Sequence, residues 1–260
     1  MIILRKLNRY INGLLGVNIF IIWHTLCEIP YFIYTTLTYL FKKKPANFSL
    51  KITKLYPILT ERSSSAGNIK SPYYFQDIWA ARKIYKANPT RHIDIGSRID
   101  GFISHLLVFR SVEVIDIRPL SSHIEGLSFT QSDATTLSSF NDNCIESLSS
   151  LHAAEHFGLG RYNDSIDPFA HEHFIHHIQR VLKPGGLCYF SVPIGKERLE
   201  FNAHRIFSPK TILSLFSDCS CLSFSYTDDS GKIFSDVAIP DTFTQHFFCG
   251  LFEFQKHKKI

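Results

Sequence analysis

Residues 91–117 read RHIDIGSRIDGFISHLLVFRSVEVIDI, and this stretch decides the fold. RHIDIG is a short apolar strand ending at Gly96. FISHLLVF has the apolar content of a packed helix, and VEVIDI is a second strand. The intervening turn keeps only Gly96 of a G-x-G-x-G register, because Arg98 and Asp100 fill the other two positions. Gly96 still permits a tight turn and close backbone approach. Taken alone, the turn suits a structural role equally well.

Downstream, the alternation continues. GLSFTQSD is a weaker third strand and CIESLSSLH a fourth. DPFAHEHFIHHIQRVL is an amphipathic helix, with Phe169, Phe174, Ile178, Val181 and Leu182 expected inward, ended by Lys183-Pro184-Gly185-Gly186. The strand GLCYFSVP follows directly. A helix (SPKTILSLFSD) and two strands (CLSFSYTDD and FFCGLFEFQK) joined by a long loop complete the pattern. Strands alternating with helices imply parallel βαβ units. The expectation is an α/β fold: a Rossmann-like, doubly wound, mostly parallel sheet with an antiparallel C-terminal strand, plus an N-terminal helical extension. A ligand would lie across the carboxyl ends of the strands, beside strand one.

Upstream, QDIWAARKIYKANP places Ile78, Trp79, Ala81, Ile84 and Tyr85 at helical spacing before the Asn88-Pro89 stop. It reads as a helix packed on the sheet. Residues 45–75 form a connector rich in Ser, Pro and Gly. Residues 11–41, INGLLGVNIFIIWHTLCEIPYFIYTTLTYLF, carry one formal charge, Glu28, and end at Lys42-Lys43-Lys44. They exceed the length of a spanning helix, but Pro30, His24 and Glu28 interrupt them and no signal-peptide cleavage site follows. Three readings stay open: a helical pair on a membrane surface with lysines on anionic headgroups, a single span, or a cap buried on protein. The expected organisation is a membrane-associating segment (1–44), a connector with packing helix (45–87) and a Rossmann domain (88–260).

Apolar content of 45% and charged content of 20% describe a globular chain. The net charge of +5 is concentrated in Arg5, Lys6, Arg9, Lys42, Lys43, Lys44, Lys51 and Lys54. The near-neutral remainder lacks the basic stripe of a nucleic-acid binder. The six cysteines form no CxxC pair and sit mostly in apolar runs, which fits buried thiols in a reducing, cytoplasmic compartment.

The polar residues concentrate at the strand ends. Asp94 would take the ammonium of an amino-acid ligand above the Gly96-Ser97 turn. Asp116, 22 positions on, stands where Rossmann folds bind ribose hydroxyls, though a capping role also suits it. Asp133, after strand three, could accept from an adenine amino group or cap a helix. LKPGG before an apolar strand resembles the helix-to-strand-five junction common in class I methyltransferases. Two polar loops follow strands four and five. The first holds His152, Glu155, His156, Arg161 and Tyr162, and the second holds Asn202, His204 and Arg205. They offer a general base and acceptor recognition. His171, His173, His176 and His177 lack a metal-site spacing and read as a solvated helix face.

The strings YYFQDIWAARKIY, NPTRHIDIGSRIDGF, VEVIDIRPL, LHAAEHFGLGRYNDSIDP, LKPGGLCYFSVPIGKERLEFNAHRIF, FSYTDDSGK and CGLFEF, between about residues 73 and 255, resemble the domain of unknown function 268 family. That family is similar in fold to class I S-adenosylmethionine-dependent methyltransferases and is found among surface-glycan functions. Its DIGSR turn falls on Asp94–Arg98, its EHFGLGRY string on Glu155–Tyr162 and its FNAHR string on Phe201–Arg205.

The resemblance and the residues together imply methyl transfer from S-adenosylmethionine to a small-molecule or glycan acceptor, in the cytoplasm or peripherally on the inner membrane face. Asp94, Gly96, Ser97, Asp116 and Asp133 would hold the cofactor, with no metal. Glu155, His156 and His204 would serve catalysis, and His152, Arg161, Tyr162, Asn202 and Arg205 the acceptor. The rivals are a non-catalytic scaffold that binds a nucleotide, glycan or protein, and a dinucleotide-dependent nucleotide-sugar enzyme. The missing G-x-G-x-x-G argues against the latter.

Overall fold

The structure, a computed structural model, describes residues 2–64, 71–228, 231–240 and 247–258. Residues 65–70 of the connector and 229–230 of the FSYTDDSGK string lie outside the described residues. The chain divides into two compact units, residues 1–68 and 69–260.

The second unit opens with helix α3 (Pro72–Ala87), ended by Asn88 in the left-handed conformation. The strands β1 (Ile93–Ile95), β2 (Val112–Asp116), β3 (Leu127–Gln131), β4 (Ile145–Leu151), β5 (Leu182–Ile194), β8 (Cys219–Thr227), β9 (Ile233–Phe234) and β10 (Phe248–Lys256) form one sheet, in the order β3-β2-β1-β4-β5-β10-β8-β9. The first five pair in parallel. β10 is antiparallel to both β5 and β8, so the last strand inserts into the sheet. β6 (Arg198–Glu200) and β7 (His204–Ile206) make a separate hairpin. This is the α/β, mostly parallel architecture expected.

Helices cover both faces, which is why β1, β4 and the second half of β5 are buried with little alternation. On one face α5 (Ala170–Val181) and α6 (Pro209–Leu215) bury Phe174, Ile178 and Ile212 against Ile93, Ile95, Phe190 and Phe254. On the other, α3, the turn Ile99–Ile103 and the short α4 (Ser104–Leu107) bury Trp79, Ile84, Phe102 and Leu106 against Val112, Val114, Tyr189 and Leu251. Lys83 of α3 reaches Glu253 (2.7 Å) and Ser223 (2.8 Å), pinning the helix to β10 and β8. One expected inward residue is corrected. Phe169 is 58% exposed, because it precedes the first turn of α5, outside the periodic stripe.

The first unit contains α1 (Ile2–Leu15) and α2 (Ile19–Phe41). Gly16 (φ +66°) separates them, the Asn18 side chain caps α2, and Asn8 accepts the Ile19 N–H. Glu28 is buried because Arg62 folds back on it, Nη2 to Oε1 at 2.9 Å, while the guanidinium lies 4.2 Å from the Tyr31 ring. Many large apolar side chains are left exposed, among them Ile21, Trp23, Leu26, Ile33, Leu37 and Phe41. No described helix is long and apolar enough to cross a membrane, so the single-span reading has no helix to carry it among the described residues.

Candidate active site

A cavity of about 1640 Å³ opens at the carboxyl ends of β1, β2 and β4. Its floor is the Gly96–Gly101 turn, its walls are the loops after β2, β3 and β4, and the first turns of α3 contribute Tyr73, Gln76 and Asp77. Arg98, which replaces a turn glycine, lines the rim with Asp100, pairs with it and is largely exposed, so it leaves the space open. Gly96 has φ +78°, and a Cβ there would come within 2.8 Å of the Ala153 Cβ. Only glycine fits this backbone against the start of the β4 loop.

Of the residues expected at the site, Gly96, Ser97, Asp116, Asp133, His152, Glu155, His156, Arg161, Tyr162 and His204 line this cavity. Asp94, Asn202 and Arg205 do not line it. Strand alternation turns Asp94 to the face opposite Ile93 and Ile95. There it is fully buried and accepts the Ser97 N–H (3.0 Å), the Ser97 hydroxyl (2.8 Å) and the Ser149 hydroxyl (2.5 Å). Ser149 in turn accepts from His92 (3.0 Å), whose other ring nitrogen faces Ser147 (2.8 Å). Burial pushes Asp94 up to about 7 and His92 down to about 3. This polar spine holds the turn from beneath. Asn202 is an exposed hairpin-turn residue with φ +65°. Arg205 clamps the carbonyls of Phe157 (2.6 Å) and Pro168 (3.1 Å), which fixes the shape of the β4 loop.

The remaining geometry assigns distinct tasks. Asp116, at the end of β2, faces the cavity but is held by Arg118, whose Nε lies 2.9 Å from Oδ1 and whose Nη2 also reaches the Gly96 carbonyl at 3.3 Å. Tyr162 lies between the guanidinium groups of Arg118 (5.1 Å) and Arg161 (5.2 Å). Asp133 accepts the Thr135 N–H within its own loop (2.8 Å).

His152 has φ +52°, a conformation non-glycine residues adopt at a cost. Its Nδ1 lies 2.9 Å from Glu155 Oε1 and its Nε2 3.1 Å from Cys249 Sγ. Burial alone would lower its pKa, but Cys249 and Glu155 hold it well above the usual imidazole range. Burial would likewise raise Glu155, yet His152 and His156 keep it below its ordinary value. Both nitrogens of His152 are thus engaged inside the protein.

His156 stands differently. Its Nδ1 is 2.7 Å from the Ala203 carbonyl, which can only accept, so the proton sits on Nδ1 and the lone pair on Nε2. Glu155 Oε1 lies 3.7 Å from that Nε2, ready to stabilise an imidazolium. Burial lowers the His156 pKa, leaving it neutral near pH 7. His204 lies 6.4 Å from it, ring to ring, and 3.5 Å from Glu200.

Sequence reasoning missed Asp77, Arg118 and Cys249. An Asp inside the apolar-patterned QDIW helix was the one available signal for Asp77. Nothing in the FFCGLFEF string marks Cys249 as a partner of His152.

Residues 115–238 match the family model described as Caenorhabditis protein of unknown function, DUF268, which agrees with the resemblance drawn from the sequence. Among solved structures, the chain is similar to a "putative sarcosine dimethylglycine methyltransferase" from Galdieria sulphuraria, with a TM-score of 0.51 and 14% identity, over 72% of this chain and 87% of that one. It is also similar to the Burkholderia thailandensis 1,6-didemethyltoxoflavin-N1-methyltransferase, solved with 1,6-didemethyltoxoflavin and S-adenosylhomocysteine, with a TM-score of 0.49 and 15% identity over 73% and 85%. The N-methyltransferase NodS from Bradyrhizobium japonicum, solved with S-adenosylhomocysteine, gives a TM-score of 0.47 and 12% identity over 72% and 88%. At 14% identity the likeness to the first of these is one of fold alone. No curated protein sequence matches the chain.

Proposed function

We propose that this protein is an S-adenosylmethionine-dependent methyltransferase acting on an oxygen of a small or glycan-type acceptor. The observation that supports it is one open cavity in which the bare backbone of Gly96 and the carboxylate of Asp116 stand on one side and the Nε2 lone pair of His156 on the other. These residues fit a nucleoside: Gly96 leaves room for it, and Asp116 is a buried acid at the strand end where ribose hydroxyls are received. When bound, the cofactor supplies an electrophilic methyl group. The chain's residues place the acceptor in line with it, and His156 Nε2 takes the acceptor hydroxyl proton while Glu155 stabilises the resulting cation. Arg161, 2.9 Å from the Ala203 carbonyl, fixes the loop beside that base. The glycan character of the acceptor rests on the family resemblance alone.

Arg118 on Asp116 favours the rival, a non-catalytic scaffold, because it occupies the carboxylate a ribose needs. Calorimetric titration with S-adenosylmethionine, S-adenosylhomocysteine and NAD separates the readings. Binding of the first two, lost in Asp116→Ala, supports the transferase, whereas silence with all three leaves the scaffold.

We also propose that the protein sits on a membrane surface through its N-terminal segment, residues 1–44, with connector residues beside it. Arg62 neutralises Glu28, the one acid of α2, so the exposed apolar side chains meet no naked carboxylate there, and exposed Lys42, Lys43, Lys51 and Lys54 suit anionic headgroups. Co-sedimentation with anionic but not zwitterionic vesicles is expected. Equal recovery in the supernatant with both refutes it.

A further inference from the structure

We propose that Asp77, on α3, is the carboxylate that receives the primary ammonium of the cofactor's amino-acid part, the role the sequence pattern suggested for Asp94. The inference rests on the methyltransferase reading. Asp94 is saturated by Ser97 and Ser149 beneath the turn and is not in the cavity wall. Asp77 is in the wall and only 9% exposed. Its Oδ1 takes the Gln76 Nε2–H at 3.1 Å, while Oδ2 has no hydrogen-bond or ion-pair partner among the described residues. The Gln76 amide is fixed in that sense because its Oε1 accepts the Ser191 hydroxyl at 2.6 Å.

Gly101 supplies the second observation. A Cβ at this position would come within 2.9 Å of Asp77 Oδ2, so the turn omits a side chain where the carboxylate rests on it. The basic groups nearby are engaged elsewhere, Arg98 with Asp100, His152 with Glu155 and Cys249, and His105 with the Gly101 carbonyl. Burial raises the pKa of Asp77, outweighing the Gln76 hydrogen bond and the charges of His105, His152 and Arg98. An ammonium lying over the Gly96–Gly101 turn supplies a compensating charge and up to three N–H donors. Asp77 and Asp116 would then hold the two ends of one ligand.

The test compares S-adenosylhomocysteine with its α-hydroxy analogue, in which a hydroxyl replaces the ammonium, by calorimetry. Asp77→Asn is expected to weaken S-adenosylhomocysteine by ~10- to ~100-fold, the range of a buried charged hydrogen bond, and to leave the analogue within about twofold. Gly101→Ala, whose Cβ displaces the carboxylate, should show the same selective loss. Asp77→Asn weakening both ligands equally, or neither, overturns the assignment alone. If the wild-type protein binds neither ligand, the transferase reading falls and takes this assignment with it.

Discussion

Asp94→Asn should change how stability depends on pH, more than it changes stability itself. Three donors surround the carboxyl, yet full burial lifts it from an ordinary 3.8 to about 7. Between those values the unfolded chain releases the proton while the native protein keeps it. Native stability therefore falls as pH rises through this window and levels off above it. At about 1.4 kcal/mol per pH unit the full loss is up to roughly 4 kcal/mol, of which roughly 2.5 kcal/mol falls between about pH 5 and 8. Asparagine removes this titration and adds a pH-independent cost of about 1–3 kcal/mol for hydroxyl donors left without an acceptor. His92, lowered by burial to about 3, acts oppositely: its contribution is present above 6.5 and is lost as pH falls toward 3. It does so in both proteins, so the difference isolates Asp94. Urea unfolding of wild type and variant at several pH values is the assay. The gap between them should shrink, or reverse, toward alkaline pH. Parallel curves would show that Asp94 is an ordinary ionised carboxylate and that the buried spine has been misread.

His156→Gln should lower methyl transfer by ~10²- to ~10⁴-fold without changing S-adenosylhomocysteine affinity. In the wild type, burial of His156 should let activity persist below the usual imidazole range as pH falls, which a pH–rate profile checks. Arg118→Ala frees Asp116 from a half-exposed partner and should tighten S-adenosylhomocysteine binding by about two- to fivefold in calorimetry; a weaker complex would make Arg118 a ligand contact. His152→Gln leaves Glu155 buried without its cation and should cost about 3 kcal/mol in chemical denaturation. Gly158→Ala combines φ +75° with a Cβ 1.9 Å from the Asp167 carbonyl oxygen. It should destabilise by at least ~2 kcal/mol, read as a lowered Tm.

The sheet was legible because its residues carry a pattern with one physical cause: strands buried on both faces, separated by helices with one apolar stripe. The loops after β4 and β5 were legible as polar and glycine-containing, and Glu155, His156, Arg161 and His204 do meet at the cavity. Individual roles were less so. Asp94 and Asp116 look alike as acids near strand ends, but Asp94, in the middle of a three-residue strand, turns beneath the Gly96-Ser97 turn, and Asp116, the last residue of β2, faces the cavity. Arg205 and Asn202 lie in a polar string whose hairpin directs one to backbone carbonyls and the other to solvent. Asp77 reached the site from a helix read only for its apolar side, and Cys249 from the far end of the sequence.

The insertion of β10 carries a consequence for how the molecule assembles. β5 and β8 share no ladder, and each leans on the strand between them. Until that strand arrives, β5 presents an open, strongly apolar edge, and its partner lies more than fifty residues away in the chain. Distant pairings of this kind form late. Refolding yield should accordingly fall with protein concentration, as intermolecular strand addition at that edge competes with closure.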